Sequence, residues 1–134
     1  MKTAVIYWSG TGNTEAMAKA AAEGANAELF SVSEFSGNVA DYDAIAFGCP
    51  AMGAEVLEED EFEPFFTAAE ASLSGKKVLL FGSYGWGDGE WMRNWEERVK
   101  AAGAELVNGE GIIVNEAPSD DDLAKIKEIA AAIA

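Results

Sequence analysis

The chain of 134 residues has no histidine, one cysteine and three prolines, and only nine of its residues are basic. Without histidine it lacks the commonest general base and the commonest metal ligand. A single cysteine, Cys49, excludes an internal disulfide. Sitting in an apolar run, it reads as a small buried hydrophobe rather than a nucleophile. Nine basic residues against 24 acidic ones leave a formal charge of −15. Such a surface repels nucleic acid and anionic membranes, so neither is expected as a partner. It favours a basic protein partner and speeds the encounter with one. No signal peptide, transit peptide or membrane span is visible, so a reducing cytoplasm is the expected compartment. What is present is apolar: 49 % of the residues are hydrophobic, enough for one core, and residues 1–134 are expected to form a single domain.

Apolar runs of strand type recur at 3–8, 27–32, 44–49, 77–82 and 112–114. Those at 3–8, 44–49 and 77–82 are nearly continuous, which marks strands buried on both faces, as in a parallel sheet. The run at 27–32 alternates more and belongs nearer an edge. Residues 104–107 and 112–114, split by Asn108-Gly109-Glu110-Gly111, read as one interrupted edge strand. Helical patterns fall between the runs, at 13–23, 62–72, 89–101 and 119–133. The last opens on Ser119 and three aspartates, which suits a helix N-terminus. Alternating strands and helices predict a doubly wound α/β domain with right-handed crossovers. In such folds ligands bind at the carboxyl ends of the strands.

Three loops follow strand ends on that edge. The first is Ser9-Gly10-Thr11-Gly12-Asn13-Thr14, between the first strand and the first helix. Its backbone N–H groups, hydroxyls and helix N-terminus together suit a phosphate. It is not a Walker loop, having no lysine to reach outer phosphates. It is not a dinucleotide fingerprint, because Glu15 stands where the third glycine would be. A single phosphate monoester held by neutral donors fits, as does an ordinary turn capped by Asn13 or Thr14. The second loop is Pro50-Ala51-Met52-Gly53-Ala54-Glu55. The third is Ser83-Tyr84-Gly85-Trp86-Gly87-Asp88-Gly89. Trp86 and Met52 offer an aromatic face and a polarisable thioether, which suit a planar ring attached to the phosphate; packing against each other or the sheet edge is the plainer alternative.

These stretches resemble the short-chain flavodoxins of clostridia and related anaerobes. The matching residues are Tyr7 through Glu15, Gly48-Cys49-Pro50-Ala51-Met52-Gly53, Glu61-Phe62-Glu63-Pro64-Phe65, Gly75-Lys76-Lys77-Val78 and Phe81 through Gly87. The similarity runs nearly end to end. It implies a five-stranded parallel sheet in the order 2-1-3-4-5 with FMN where the order reverses; that order belongs to the family and is not established by periodicity. It implies that Ser9, Gly10, Thr11, Gly12, Asn13 and Thr14 hold the FMN phosphate. Met52 and Trp86 would flank the ring, with Ala51, Gly53 and Ala54 beside it. Glu55 would accept from the ring's N3 edge, and Ser83, Tyr84, Gly85 and Gly87 would approach the pyrimidine edge. Asn115 is a candidate for the ribityl chain.

The resemblance also implies a low-potential one-electron carrier, not an enzyme, shuttling between redox enzymes. In the family the peptide after the glycine matching Gly53 rotates to meet the flavin N5–H, which implies a stabilised neutral semiquinone. Glycine permits such rotation at little cost. The acidic run Glu55, Glu58, Glu59, Asp60, Glu61 and Glu63 opposes further negative charge, making the second reduction hard. Two residues depart from some relatives: Pro50 stands where a serine donates to the phosphate, and Ala54 where asparagine, aspartate or serine occurs. A monomer docking basic partner surfaces near the flavin edge is expected. The rival readings are an FMN-dependent reductase of the same fold and an engineered or non-redox FMN-binding scaffold.

Overall fold

The computed structural model describes residues 2–53, 55–85 and 87–133. In chain order the elements are β1 (Thr3–Tyr7), α1 (Asn13–Ala25), β2 (Glu28–Ser31), β3 (Ala44–Gly48), α2 (Phe62–Ala69), β4 (Lys77–Tyr84), α3 (Glu90–Ala101), β5 (Glu105–Leu106), β6 (Ile112–Asn115) and α4 (Asp120–Ala130). The sheet runs β2-β1-β3-β4-β5, and every pairing is parallel. β2 is an edge strand, as its alternating pattern predicts.

The far edge is shared by two short strands on the same neighbour. β5 pairs with the start of β4 through Lys77 and Val78, and β6 with its end, from Phe81 to Tyr84. Between them a turn at Val107–Gly109 puts Asn108 and Gly109 at φ 70° and 74°. Backbone in the left-handed region cannot continue a strand, so the edge is interrupted there, as the 108–111 segment predicts. The sheet therefore has the expected five positions.

Each sheet face carries two helices. Val5 and Tyr7 point with Leu79 and Phe81 toward Met17, Ala18 and Ala21 of α1 and Ile126 and Ala130 of α4. Ala4, Ile6, Phe47 and Leu80 face Phe62 and Phe66 of α2 and Trp91, Met92 and Trp95 of α3. Small residues let α1 and α4 approach closely: a Cβ on Gly24 would lie 2.2 Å from the Lys127 carbonyl oxygen. On the other face aromatic rings do the filling, with Phe47 and Phe66 edge to face at 5.1 Å.

The boundaries differ from the sequence reading in several places, and residues 119–133 form an α-helix only over Asp120–Ala130, closing in a 3-10 turn at Ala131–Ile133. α1 extends to Ala25 and ends on Asn26 in the left-handed conformation (φ 53°). Residues 62–72 form an α-helix only to Ala69, closing in a 3-10 turn over Glu70–Ser72. β4 reaches Tyr84, so Ser83 and Tyr84 are the last residues of a strand, not loop residues. α4 begins on Ser119 with a reciprocal capping box: Ser119 Oγ accepts from Asp122 N–H at 3.1 Å, and the Asp122 carboxylate accepts from Ser119 N–H at 2.9 Å.

Candidate functional site

Because the sheet is parallel, the loops after β1, β3, β4 and β6 share one edge. In the first, neither Asn13 nor Thr14 caps α1. Gly12 stands at the cap with φ 94°, a conformation that glycine adopts without strain. Ser9 orders the loop instead: its Oγ accepts the N–H groups of Gly12 (3.1 Å) and Glu15 (3.2 Å). Thr11 Oγ1 accepts from Asn13 N–H at 3.5 Å. A hydroxyl used as acceptor still has its proton to donate, so both remain available to an anion. Gly10 lies under the Trp8 indole, where a Cβ would come within 3.1 Å of the ring. Thr14 is buried, and its hydroxyl meets that of Ser83 at 3.1 Å.

The second loop is pinned to β4. Cys49 N–H donates to the Phe81 carbonyl and Ala51 N–H to the Ser83 carbonyl, at 3.1 and 3.0 Å. The chain then turns: Glu55 N–H donates to the Met52 carbonyl (2.8 Å) and Met52 N–H to the Val56 carbonyl (3.0 Å). Glu55 has φ 53°, in a region few residues with side chains adopt. Burial pushes the Cys49 thiol up to about 12, against a smaller opposing effect from the Glu58 N–H that donates to its sulfur. Cys49 is thus a core residue, as its apolar run predicts. Glu58 closes the segment: its carboxylate accepts from the N–H groups of Asp60 (2.9 Å), Glu61 (2.7 Å) and Phe62 (2.8 Å). Glu61 has no side-chain capping bond, so Glu58 supplies the cap of α2. Burial raises the Glu58 carboxyl pKa, but the three donors outweigh it and hold the carboxyl below its ordinary value.

At the end of β4 the Tyr84 carbonyl accepts from Glu116 N–H (2.7 Å) and Asn115 Nδ2 (3.2 Å). Asn115 is thereby engaged with backbone. Gly87 and Gly89 have φ of 90° and 91°, and the Glu55 carboxylate lies against Gly87, 2.5 Å from where a Cβ would be. The carboxylates of Glu55, Asp88 and Glu90 lie within 4.8 Å of one another. Trp86 and Ala54, both expected in the site, lie outside the described residues.

These segments enclose a cavity of about 380 Å³ lined by Gly10, Thr11, Asn13, Ala51, Met52, Ser83, Tyr84 and Gly85. All eight are residues that the sequence singles out. Pro50 of the second loop also lines it, and two further lining residues are Trp8 and Glu116. Trp8 reads in sequence as the last residue of a strand. Glu116 follows the last strand at the same edge, and the strand-end rule used for the other loops would have found it. Ser9 instead lines a neighbouring cavity of about 190 Å³, which Trp8 also borders. Gly12, Thr14, Gly53, Glu55 and Gly87 are not among the residues lining the larger cavity. A separate cavity of about 310 Å³ runs along β6 beside Arg93 and Lys125, away from the phosphate loop.

The geometry has relatives. The flavodoxin family profile matches residues 5–129. The chain belongs to the flavodoxin family. It is 50 % identical to a flavodoxin of Megasphaera elsdenii over 136 residues, covering 97 % of this chain and 96 % of that one. It is 48 % identical to a flavodoxin of Clostridium beijerinckii over 118 residues, covering 84 % and 86 %. The solution structure of two-electron reduced Megasphaera elsdenii flavodoxin superposes with a TM-score of 0.80 at 47 % identity, covering 97 % and 98 %. This flavodoxin is an FMN-binding electron carrier rather than an enzyme. Among its described residues no helix is long and apolar enough to cross a membrane.

Proposed function

We propose that the 380 Å³ cavity at the strand ends is where FMN sits, and that the carrier works between redox enzymes at low potential. The observation that carries this assignment is the union, in one cavity, of the Gly10–Asn13 loop with the Met52 and Tyr84 segments. The donor set fits the cofactor. Thr11 and Asn13 line the cavity, and neutral hydroxyl and amide donors at a helix N-terminus suit a phosphate monoester. Glu55 has a buried oxygen, Oε1, with no hydrogen-bond partner, which suits an N–H donor on the flavin ring. Bound there, FMN supplies one-electron transfer.

The residues then have separate tasks. Ser9 orders the loop, and Thr11, which lines the cavity, directs its hydroxyl proton toward the phosphate. Met52 covers the ring and keeps water from it. Gly53 leaves its peptide free to turn, and a Cβ there would meet nothing within 4 Å. Pro50 lines the cavity without an N–H or a hydroxyl, so the phosphate depends on the first loop alone. Glu116 in the cavity lining and the cluster of Glu55, Asp88 and Glu90 beside Gly87 add negative charge near the site, which opposes the second electron. The same charge favours docking of basic partner surfaces by a monomeric carrier.

Binding of FMN and of riboflavin to the apoprotein tests the assignment. The phosphate loop predicts that FMN binds far more tightly than riboflavin, and that Thr11→Ala narrows the gap. Equal affinity for the two flavins would place the cofactor elsewhere.

A further inference from the structure

Among the described residues two buried side-chain polar atoms have no hydrogen-bond partner: Glu55 Oε1 and Trp95 Nε1. One is an acceptor and the other a donor. Both residues line a cavity of about 80 Å³ behind the second loop, with Val56, Leu57 and Asn94. Trp95 is 1 % exposed, and Phe62 and Phe66 meet its ring edge to face at 5.5 and 5.6 Å. The indole therefore cannot turn toward another acceptor. Arg98 also borders the cavity, but its guanidinium is held by Glu63 and Glu70 at 2.8 Å each. It is not free to satisfy Glu55. A water needs about 30 Å³ and two or more polar partners; the cavity has the room, and the two orphan atoms belong to residues that line it.

We propose that the cavity binds a structural water that accepts from Trp95 Nε1–H and donates to Glu55 Oε1, making Trp95 a positioning residue for the Glu55 carboxylate. The positioning role rests on the reading that Glu55 accepts the flavin N3–H. The carboxylate needs such a hold. It belongs to a residue at φ 53°, and Asp88 and Glu90 within 4.8 Å repel it. A donor on the cavity side offsets that repulsion and fixes the oxygen against Gly87. A carboxylate oxygen accepts two hydrogen bonds, so water and flavin do not compete.

The test compares FMN with N3-methyl-FMN, which lacks the N3–H. Trp95→Phe keeps the ring and removes the donor. It should weaken FMN binding about three- to tenfold, the size of one water-mediated hydrogen bond, and leave N3-methyl-FMN nearly unchanged. In a Glu55→Ala background it should change neither. Equal losses for both flavins would mean a merely structural role and overturn the proposal. If Glu55→Ala fails to discriminate the two flavins, the reading of Glu55 falls and the positioning role with it. The water itself is decided separately, on the FMN-loaded wild-type protein. The Trp95 Nε1–H resonance should show an NMR cross-peak to a long-lived water, and its absence would overturn the water site whatever the variants do.

Discussion

The hydroxyls of Thr14 and Ser83 meet at 3.1 Å, joining the first turn of α1 to the end of β4 across 69 residues of sequence. Ser83 N–H also donates to Thr14 Oγ1, at 3.4 Å. The phosphate loop and the third loop are therefore positioned by one buried contact. Thr14→Val keeps the shape and strands two Ser83 polar groups. It should cost about 1–3 kcal/mol in urea denaturation, the usual penalty for buried groups left unpaired, and should weaken FMN binding. Unchanged stability would show that the contact does not hold the loops.

Gly12 and Gly53 separate backbone strain from backbone freedom. Gly12 is held at φ 94°, with open space where a methyl group would go, so Gly12→Ala meets strain and no clash. It should destabilise the apoprotein by about 1 kcal/mol. Gly53 is not in the left-handed region and also faces open space. Gly53→Ala should therefore leave apoprotein stability unchanged while shifting the first one-electron potential of the loaded protein. A potential that stays put would remove the role of the Gly53 peptide.

Glu58 makes part of the stability pH-dependent. Its carboxyl pKa is lowered in the fold, so its contribution is complete above glutamate's ordinary value and is lost as pH falls through the lowered one. Glu58→Gln should be less stable than wild type by about 1–3 kcal/mol at neutral pH, through loss of charge-assisted bonds to the α2 backbone. The gap should narrow as pH falls below about 4.3. A gap that is constant from neutral to acid pH would contradict the cap.

Much of this arrangement is legible in the sequence because buried parallel strands write themselves as continuous apolar runs. The loops at their ends follow from the same reading, and nine of the residues lining the cavity come from it. What the pattern misses is set by contacts between distant segments. Ser83 and Tyr84 look like loop residues because they are polar or precede glycine, yet pairing with Val114 and Asn115 keeps them in the sheet. Trp8 reads as strand core, while its indole in fact covers Gly10 and donates to Glu61 Oε1 at 3.3 Å. Glu58 sits in an acidic run that suggests a solvated face, and only folding brings three N–H groups to its carboxylate. No local rule for caps looks three residues upstream of Glu61.

The acidic surface predicts salt-sensitive partnership. With a formal charge of −15, electron transfer to a basic partner should slow as ionic strength rises, because screening shortens the reach of the attraction. Neutralising Asp88 and Glu90 together should flatten that dependence. Stopped-flow rates indifferent to salt would refute docking by charge.

The central claim is that this chain carries electrons one at a time on FMN bound at the strand ends. An anaerobic dithionite titration of the FMN-loaded protein, followed by visible absorbance, tests it most directly. Two resolved one-electron steps are expected, the second at markedly lower potential. A single two-electron step, passing directly from oxidised to fully reduced cofactor, would contradict it.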